Sequence, residues 1–161
     1  MYVHEVGNDS TALQLTRRQK HYQKGSDERQ KLSDAVAALK KTSPLEVPIV
    51  VAGKQIRGSS VLEQRDPSSH KTVVAKYSNA GPAEVNAAID AALAARQSWS
   101  TLPFADRAAI FLKAADLISV KYRYDLMAAT MVGQGKNAWQ AEIDAAAELI
   151  DFLRYDWGKF H

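Results

Sequence analysis

Carboxylates and a glycine–lysine joint crowd together between Met131 and Asp151. The stretch from Met131 to Asp144 reads MVGQGKNAWQAEID, and Glu142, Asp144, Glu148 and Asp151 follow on one helical run. Two closely spaced glycines with a lysine behind them could cradle a phosphate if they followed a strand and led into Ser or Thr, as GxxxxGK[ST] does. Here the stretch follows a helical pattern and Asn137 comes next, so it reads as a joint between two helices, with Gly133 and Gly135 expected to take positive φ. Carboxylates could share acid–base work if their surroundings set their protonation apart. At about 100° per residue, Glu142 and Glu148 diverge by roughly 120°. Asp144 and Glu148 share a face and repel mildly. A solvated acidic face is therefore the plain expectation. Glu148 stands apart in one respect: Ala145, Ala146 and Ala147 precede it, and small neighbours leave room around a carboxylate.

Other chemistries find less support. The histidines at 4, 21, 70 and 161 never recur at i+3 or i+4, and neither HExxH, GxSxG nor GxGxxG occurs, so no metal site and no cofactor-binding residue is expected. The chain has no cysteine, which removes disulfides, thiolate zinc sites and a cysteine nucleophile. No catalytic residue is assigned.

The elements that must position these groups follow from periodicity. Residues 1–24 are polar and aperiodic and read as an extended basic tail, with residues 25–161 as the folded part. Ser26 before Asp27 and Glu28 caps a helix with the stripe Leu32, Ala35, Val36, Leu39, stopped by Pro44 and Pro48. Val47–Ala52, Gln55–Arg57, Val61–Gln64 and Thr72–Tyr77 read as a short antiparallel meander. Beyond Gly81 the chain is helical. Pro82 suits a first turn, and Val85, Ala88, Ile89, Ala92 and Ala95 mark a buried face ending near Trp99. Ser100 and Thr101 offer a cap before Pro103, and the next stripe is Ile110, Phe111, Ala114, Leu117, Ile118. A third helix runs from about Tyr122 to Val132 and is ended by Gly133. Asn137 caps the fourth, whose stripe is Ile143, Ala146, Ile150, Leu153, Trp157.

With 161 residues and a formal charge of +3, the chain is long enough for one ordinary core and too mildly basic to point to a specific nucleic acid. Arg17, Arg18, Lys20 and Lys24 cluster as a possible patch for an anionic partner, against the plainer reading of a solvated tail. No apolar run approaches the roughly 20 residues of a transmembrane helix. The first 24 residues lack the apolar segment of a secretory signal, and Glu5 and Asp9 make them a poor transit peptide.

Some longer strings resemble a family. ADRAAIFLKAADLIS (Ala105 to Ser119) and TMVGQGKNAWQAEIDAAAELIDFLR (Thr130 to Arg154) are similar to the N-terminal part of the Δ1-pyrroline-5-carboxylate dehydrogenases of the aldehyde dehydrogenase superfamily. KGSDERQKL, VPIVVAGKQI and NAAIDAALAARQSW fit the same register, so the resemblance runs from about residue 24 to 157. It implies an α/β family fragment: an N-terminal helix, a short antiparallel β meander and a four-helix α-rich segment. It implies a mitochondrial protein of proline breakdown, in a family that oxidises glutamate-γ-semialdehyde to glutamate with NAD. The family's cysteine nucleophile, general-base glutamate, oxyanion asparagine and cofactor fold lie past the point where this chain stops, so the chain alone is expected to bind no cofactor and not to turn over. Glu148 matches a family glutamate near the aldehyde entrance, where it would position substrate. In the family this segment wraps the cofactor domain, so its apolar helix faces are expected to be covered by other protein subunits. The resulting expectation is a non-catalytic structural subunit of a larger assembly; the alternative is the N-terminal third of an active NAD-dependent dehydrogenase.

Overall fold

The computed structural model describes residues 20–158. Helix α1 (Asp27–Thr42) starts where Ser26 accepts a hydrogen bond from the Arg29 amide, with Asp27 and Glu28 in its first turn and Lys40 and Lys41 in its last. Those charges oppose the partial charges at the two helix ends.

The apolar run after Pro44 is not one strand. Pro48 has no N–H to give to a ladder, and it divides the run into β1 (Leu45–Val47) and β2 (Ile49–Val51). Strand β2 pairs antiparallel with β3 (Lys54–Ile56) as a separate hairpin, turned at Ala52 and Gly53, both at positive φ. Strand β1 joins β5 (Ser69–Asn79) in parallel, Leu45 beside Ala75 and Val47 beside Tyr77. On the other side of β5 lies β4 (Ser60–Asp66), antiparallel, giving the order β1-β5-β4. The antiparallel expectation therefore holds for two of these pairings and not for β1, which sequence patterning could not assign a partner.

Helices follow: α2 (Pro82–Thr101), α3 (Phe104–Val120) and α4 (Arg123–Gln134). Pro82 opens α2, as expected. Ser100 and Thr101 do not cap α3; they lie in the last turn of α2 and return their hydroxyls to the Gln97 carbonyl. Gly133 is helical, and α4 instead ends at Gly135, whose φ of 70° is the left-handed cap conformation. Asn137 caps the next helix, trading hydrogen bonds with Gln140 in both directions. That last helix has three parts: α5 (Ala138–Ala141), a π-helical turn (Glu142–Ala147) and α6 (Glu148–Gly158).

The core forms where α1 lies on α4 and the π turn. Leu32, Met127, Ala141 and Ala146 are buried together, with Tyr22, Val36, Tyr124 and Met131 packed around them. Helix α2 has no buried residue, so the face expected to be buried there is open: Ile89 is 52% and Leu93 59% exposed. Its stripe is apolar as read, but no element among the described residues covers it. Among the described residues no helix is long and apolar enough to cross a membrane.

Candidate functional site

Among the described residues, buried charge concentrates most where α4, the π turn and the segment before α1 converge. Arg123 opens α4 on the same face as Met127 and Met131, so its guanidinium is carried into the apolar seam. Opposite it, the π turn turns Glu142 inward, where it is 0% exposed. Both guanidinium arms reach the carboxylate: Nε donates to Oε2 at 3.2 Å and Nη2 donates to Oε1. From the third side the chain at residues 20–22 lies across the pair. The Tyr22 hydroxyl donates to Glu142 Oε2 at 2.5 Å and sits 3.0 Å from Met127 Sδ, and the Lys20 amide donates to Oε1 at 3.1 Å. Lys20 Nζ donates to the Tyr124 hydroxyl at 3.1 Å and lies 5.2 Å from the ring centre.

These contacts set the ionisation of each member. Burial disfavours the Glu142 charge, but hydrogen bonds from Arg123, Tyr22 and the Lys20 amide outweigh it and hold the carboxyl below the usual glutamate range. Burial, with the Glu142 carboxylate beside it, pushes the Tyr22 phenol up. For Arg123, burial works against the charge and the Glu142 carboxylate more than restores it. Both oxygens of Glu142 are thus engaged by donors and none faces solvent. The group is a fixed anion that holds elements together and is not placed to exchange a proton with a small molecule. Removing either partner would strand a buried charge, which makes the pair a demanding piece of the fold.

The acidic run of the last helix is therefore split. Glu142 is the correction: it belongs to the interior, because Arg123 awaits it there. Asp144 forms an ion pair with Lys136 near the surface. Glu148, the first residue after the π turn, is exposed. The glycine joint is filled from within. The Gly135 amide donates to the Met131 carbonyl, and the Lys136 ammonium is taken by Asp144. The β4–β5 turn also sits on it: Gln64 Nε2 donates to the Gly133 carbonyl at 2.9 Å, and a Cβ built on Gly135 would touch the Pro67 ring at 3.5 Å. With no strand leading into that joint and its lysine engaged, it does not fit a dinucleotide phosphate.

Of the basic cluster, Arg17 and Arg18 lie outside the described residues. Lys24 is exposed, whereas Lys20 turns inward to Tyr124 and does not join Lys24 in an outward patch. The sequence reading missed Tyr22, Arg123 and Glu142 as a unit. A signal existed for two of them. Arg123 stands four residues before Met127 in the buried stripe, and Glu142 sits between Ala141 and Ile143; a charge inside an apolar stripe needs a partner. Nothing local marks Tyr22.

Comparison with known proteins gives a consistent picture. Residues 55–161 match the model of the aldehyde dehydrogenase family. Over 136 residues the chain is 61% identical to the mitochondrial Δ1-pyrroline-5-carboxylate dehydrogenase of Emericella nidulans, spanning 84% of this chain and 24% of that protein. The human mitochondrial protein of the same name is 49% identical over 135 residues, with the same two coverages. The fold matches the Δ-pyrroline-5-carboxylate dehydrogenase of Mycobacterium tuberculosis bound with NAD, with a TM-score of 0.82 and 40% identity, over 86% of this chain and 26% of that one. The chain thus spans about a quarter of the length of these relatives.

Proposed function

The chain belongs to the aldehyde dehydrogenase family, and on that premise we propose that it is a non-catalytic scaffold part of a Δ1-pyrroline-5-carboxylate dehydrogenase-type protein. Its work is to present packing surface to further protein elements in a larger assembly and to place one carboxylate, Glu148, on the substrate side. The names of its relatives support a place in proline catabolism and in mitochondria.

The observation that carries this reading is the open apolar face of α2. Ile89, Leu93 and Trp99 stand exposed on a helix with no buried residue, whereas Leu32 of α1 and Met127 of α4 are buried against each other's elements. A surface of that kind is stable in water when another protein element lies on it. The chemistry agrees. Semialdehyde oxidation in the family proceeds through a thiolate adduct that passes hydride to NAD, and these 161 residues hold no cysteine to form the adduct. Glu148 would act by orienting the substrate's charged end.

A second reading, the same scaffold working inside an active NAD-dependent dehydrogenase, is favoured by the exposed carboxylate of Glu148, which a purely structural part would not need. One experiment addresses both. The purified 161-residue chain, given glutamate-γ-semialdehyde and NAD, should form no NADH and show no NAD-dependent melting shift. Native mass spectrometry of the protein from its source should find it bound to other polypeptide. NADH formation by the chain alone would overturn the proposal, and a thiol-bearing aldehyde dehydrogenase segment in the captured assembly would select the second reading.

A further inference from the structure

One charged side chain lies on the axis of the open face of α2. Val85, Ile89, Leu93 and Trp99 form the apolar stripe, and Arg96 stands in its middle. At about 100° per residue, Arg96 falls within roughly 20° of Val85 and Ile89, with Leu93 roughly 60° to one side of it and Trp99 roughly 60° to the other. Ile89, Ala92, Leu93, Ala95 and Trp99 join it in lining a shallow open groove of about 420 Å³. Arg96 is exposed and takes part in none of the ion pairs among the described residues. Its own helix offers it no acid. The positions three and four residues away are Ala92, Leu93, Trp99 and Ser100, and the two acids of α2, Glu84 and Asp90, stand roughly 120° off the stripe. Glu84 is already engaged by the Gly81 amide.

A guanidinium at the centre of an apolar stripe is stable while water reaches it. Once the stripe is covered that water is lost, and a buried charge needs a partner of opposite sign. A wholly apolar element laid across α2 would strand Arg96. A carboxylate answers it, because the planar guanidinium takes both carboxylate oxygens through two parallel hydrogen bonds. We propose that the α2 face docks a further protein element, from outside these 161 residues, that brings apolar side chains around one carboxylate, and that this Asp or Glu pairs with Arg96. The proposal rests on the reading of α2 as a docking face and adds the chemistry of what lies on it. An element that matches the stripe in shape but lacks the acid is rejected by the unpaired charge, so Arg96 selects the partner. Two other occupants fit the charges less well. A second copy laid on the same face brings a second Arg96 and no acid in its stripe. An anionic lipid surface takes helices whose polar faces are rich in Lys and Arg, whereas α2 carries two acids against its one cation.

Photo-crosslinking inside the source's own cells tests the pairing in the assembly. A benzophenone side chain in place of Leu93, which is exposed on the stripe, should attach to a peptide from outside residues 1–161 that carries an Asp or Glu among apolar residues. Adding Arg96→Gln removes the charge and leaves the partner's carboxylate stranded; it should lower the crosslinked yield about tenfold or more. Gln97→Ala, one residue on and about 100° away around the helix, should leave the yield unchanged. Arg96→Glu should lower the yield further, and changing the partner's acid to Arg in that background should bring it back, a rescue that damage to α2 itself does not allow. Crosslinks that form equally well in Arg96→Gln would overturn the paired carboxylate while leaving α2 a docking face. Crosslinks only to a second copy of the chain, only to lipid, or to nothing would overturn the docking face and the pairing together.

Discussion

Helices α1 and α2 carry the same kind of apolar stripe and meet opposite surroundings. Leu32 and Val36 of α1 lie on α4 and the π turn and help close a core. Ile89 and Leu93 of α2 face water. Helical periodicity fixed which side of each helix is apolar in both cases, because that depends on local spacing alone. What the side meets depends on other elements, and only α1 finds its partners within the described residues. The difference separates a helix buried against its own chain from one whose apolar face is open among the described residues.

The contrast can be broken at its strongest point first. Arg123→Ala should cost about 3–5 kcal/mol, read as a shifted urea midpoint, because it leaves Glu142 buried and unpaired. A loss below about 1 kcal/mol would mean water reaches the pair. Leu32→Ala should cost about 3 kcal/mol by opening a cavity at the α1–α4 contact. The Tyr22–Arg123–Glu142 cluster should also shape the stability profile with pH, with signs that follow from the direction of each shift. Glu142 has a lowered folded pKa, so its contribution is present above the ordinary glutamate value near 4.5 and is lost as pH falls through the lower folded value. Tyr22 has a raised folded pKa, so its contribution is complete below the ordinary tyrosine value near 10 and disappears as pH rises beyond it. Thermal melts should hold a plateau between those limits, and Glu142→Gln should flatten the acid limb; an unchanged limb would remove Glu142 from it. Asn137→Ala should cost about 1 kcal/mol through the lost cap. At the other end of the comparison, Ile89→Ser with Leu93→Ser should change the stability of the isolated chain by no more than about 0.5 kcal/mol while lowering its self-association in light scattering. A loss of several kcal/mol there would place α2 inside the chain's own core.

Much of the fold was legible. Ser26 and Asn137 announced their caps, Pro82 its first turn, and the stripe of α1 its buried face, since each is decided within a few residues. The resemblance to the dehydrogenases rested on long strings that local physics does not explain, and the relatives are 61% and 49% identical to the chain over 136 and 135 residues. What stayed hidden were pairings across the chain. Tyr22 sits in a stretch read as solvated tail, and no local feature says that its hydroxyl reaches Glu142. The acidic run of the last helix was read on a straight-helix wheel, which misplaces residues after a π turn by about 100°. Gly133 and Gly135 were equally able to take positive φ, and the choice of Gly135 was made where Gln64 and Pro67 cover the joint.

The parallel pairing of β1 bears on the order of assembly. Leu45 to Val47 can join β5 only after the chain between them has turned back through the β2–β3 hairpin and the β4–β5 ribbon, so closing that long loop has to wait for the local hairpins to form. Strand β1 should then dock on β5 after the β4–β5 ribbon has formed during refolding. Pulse-labelled amides showing Val47 protected as early as the Leu62–Tyr77 pair would reverse that order.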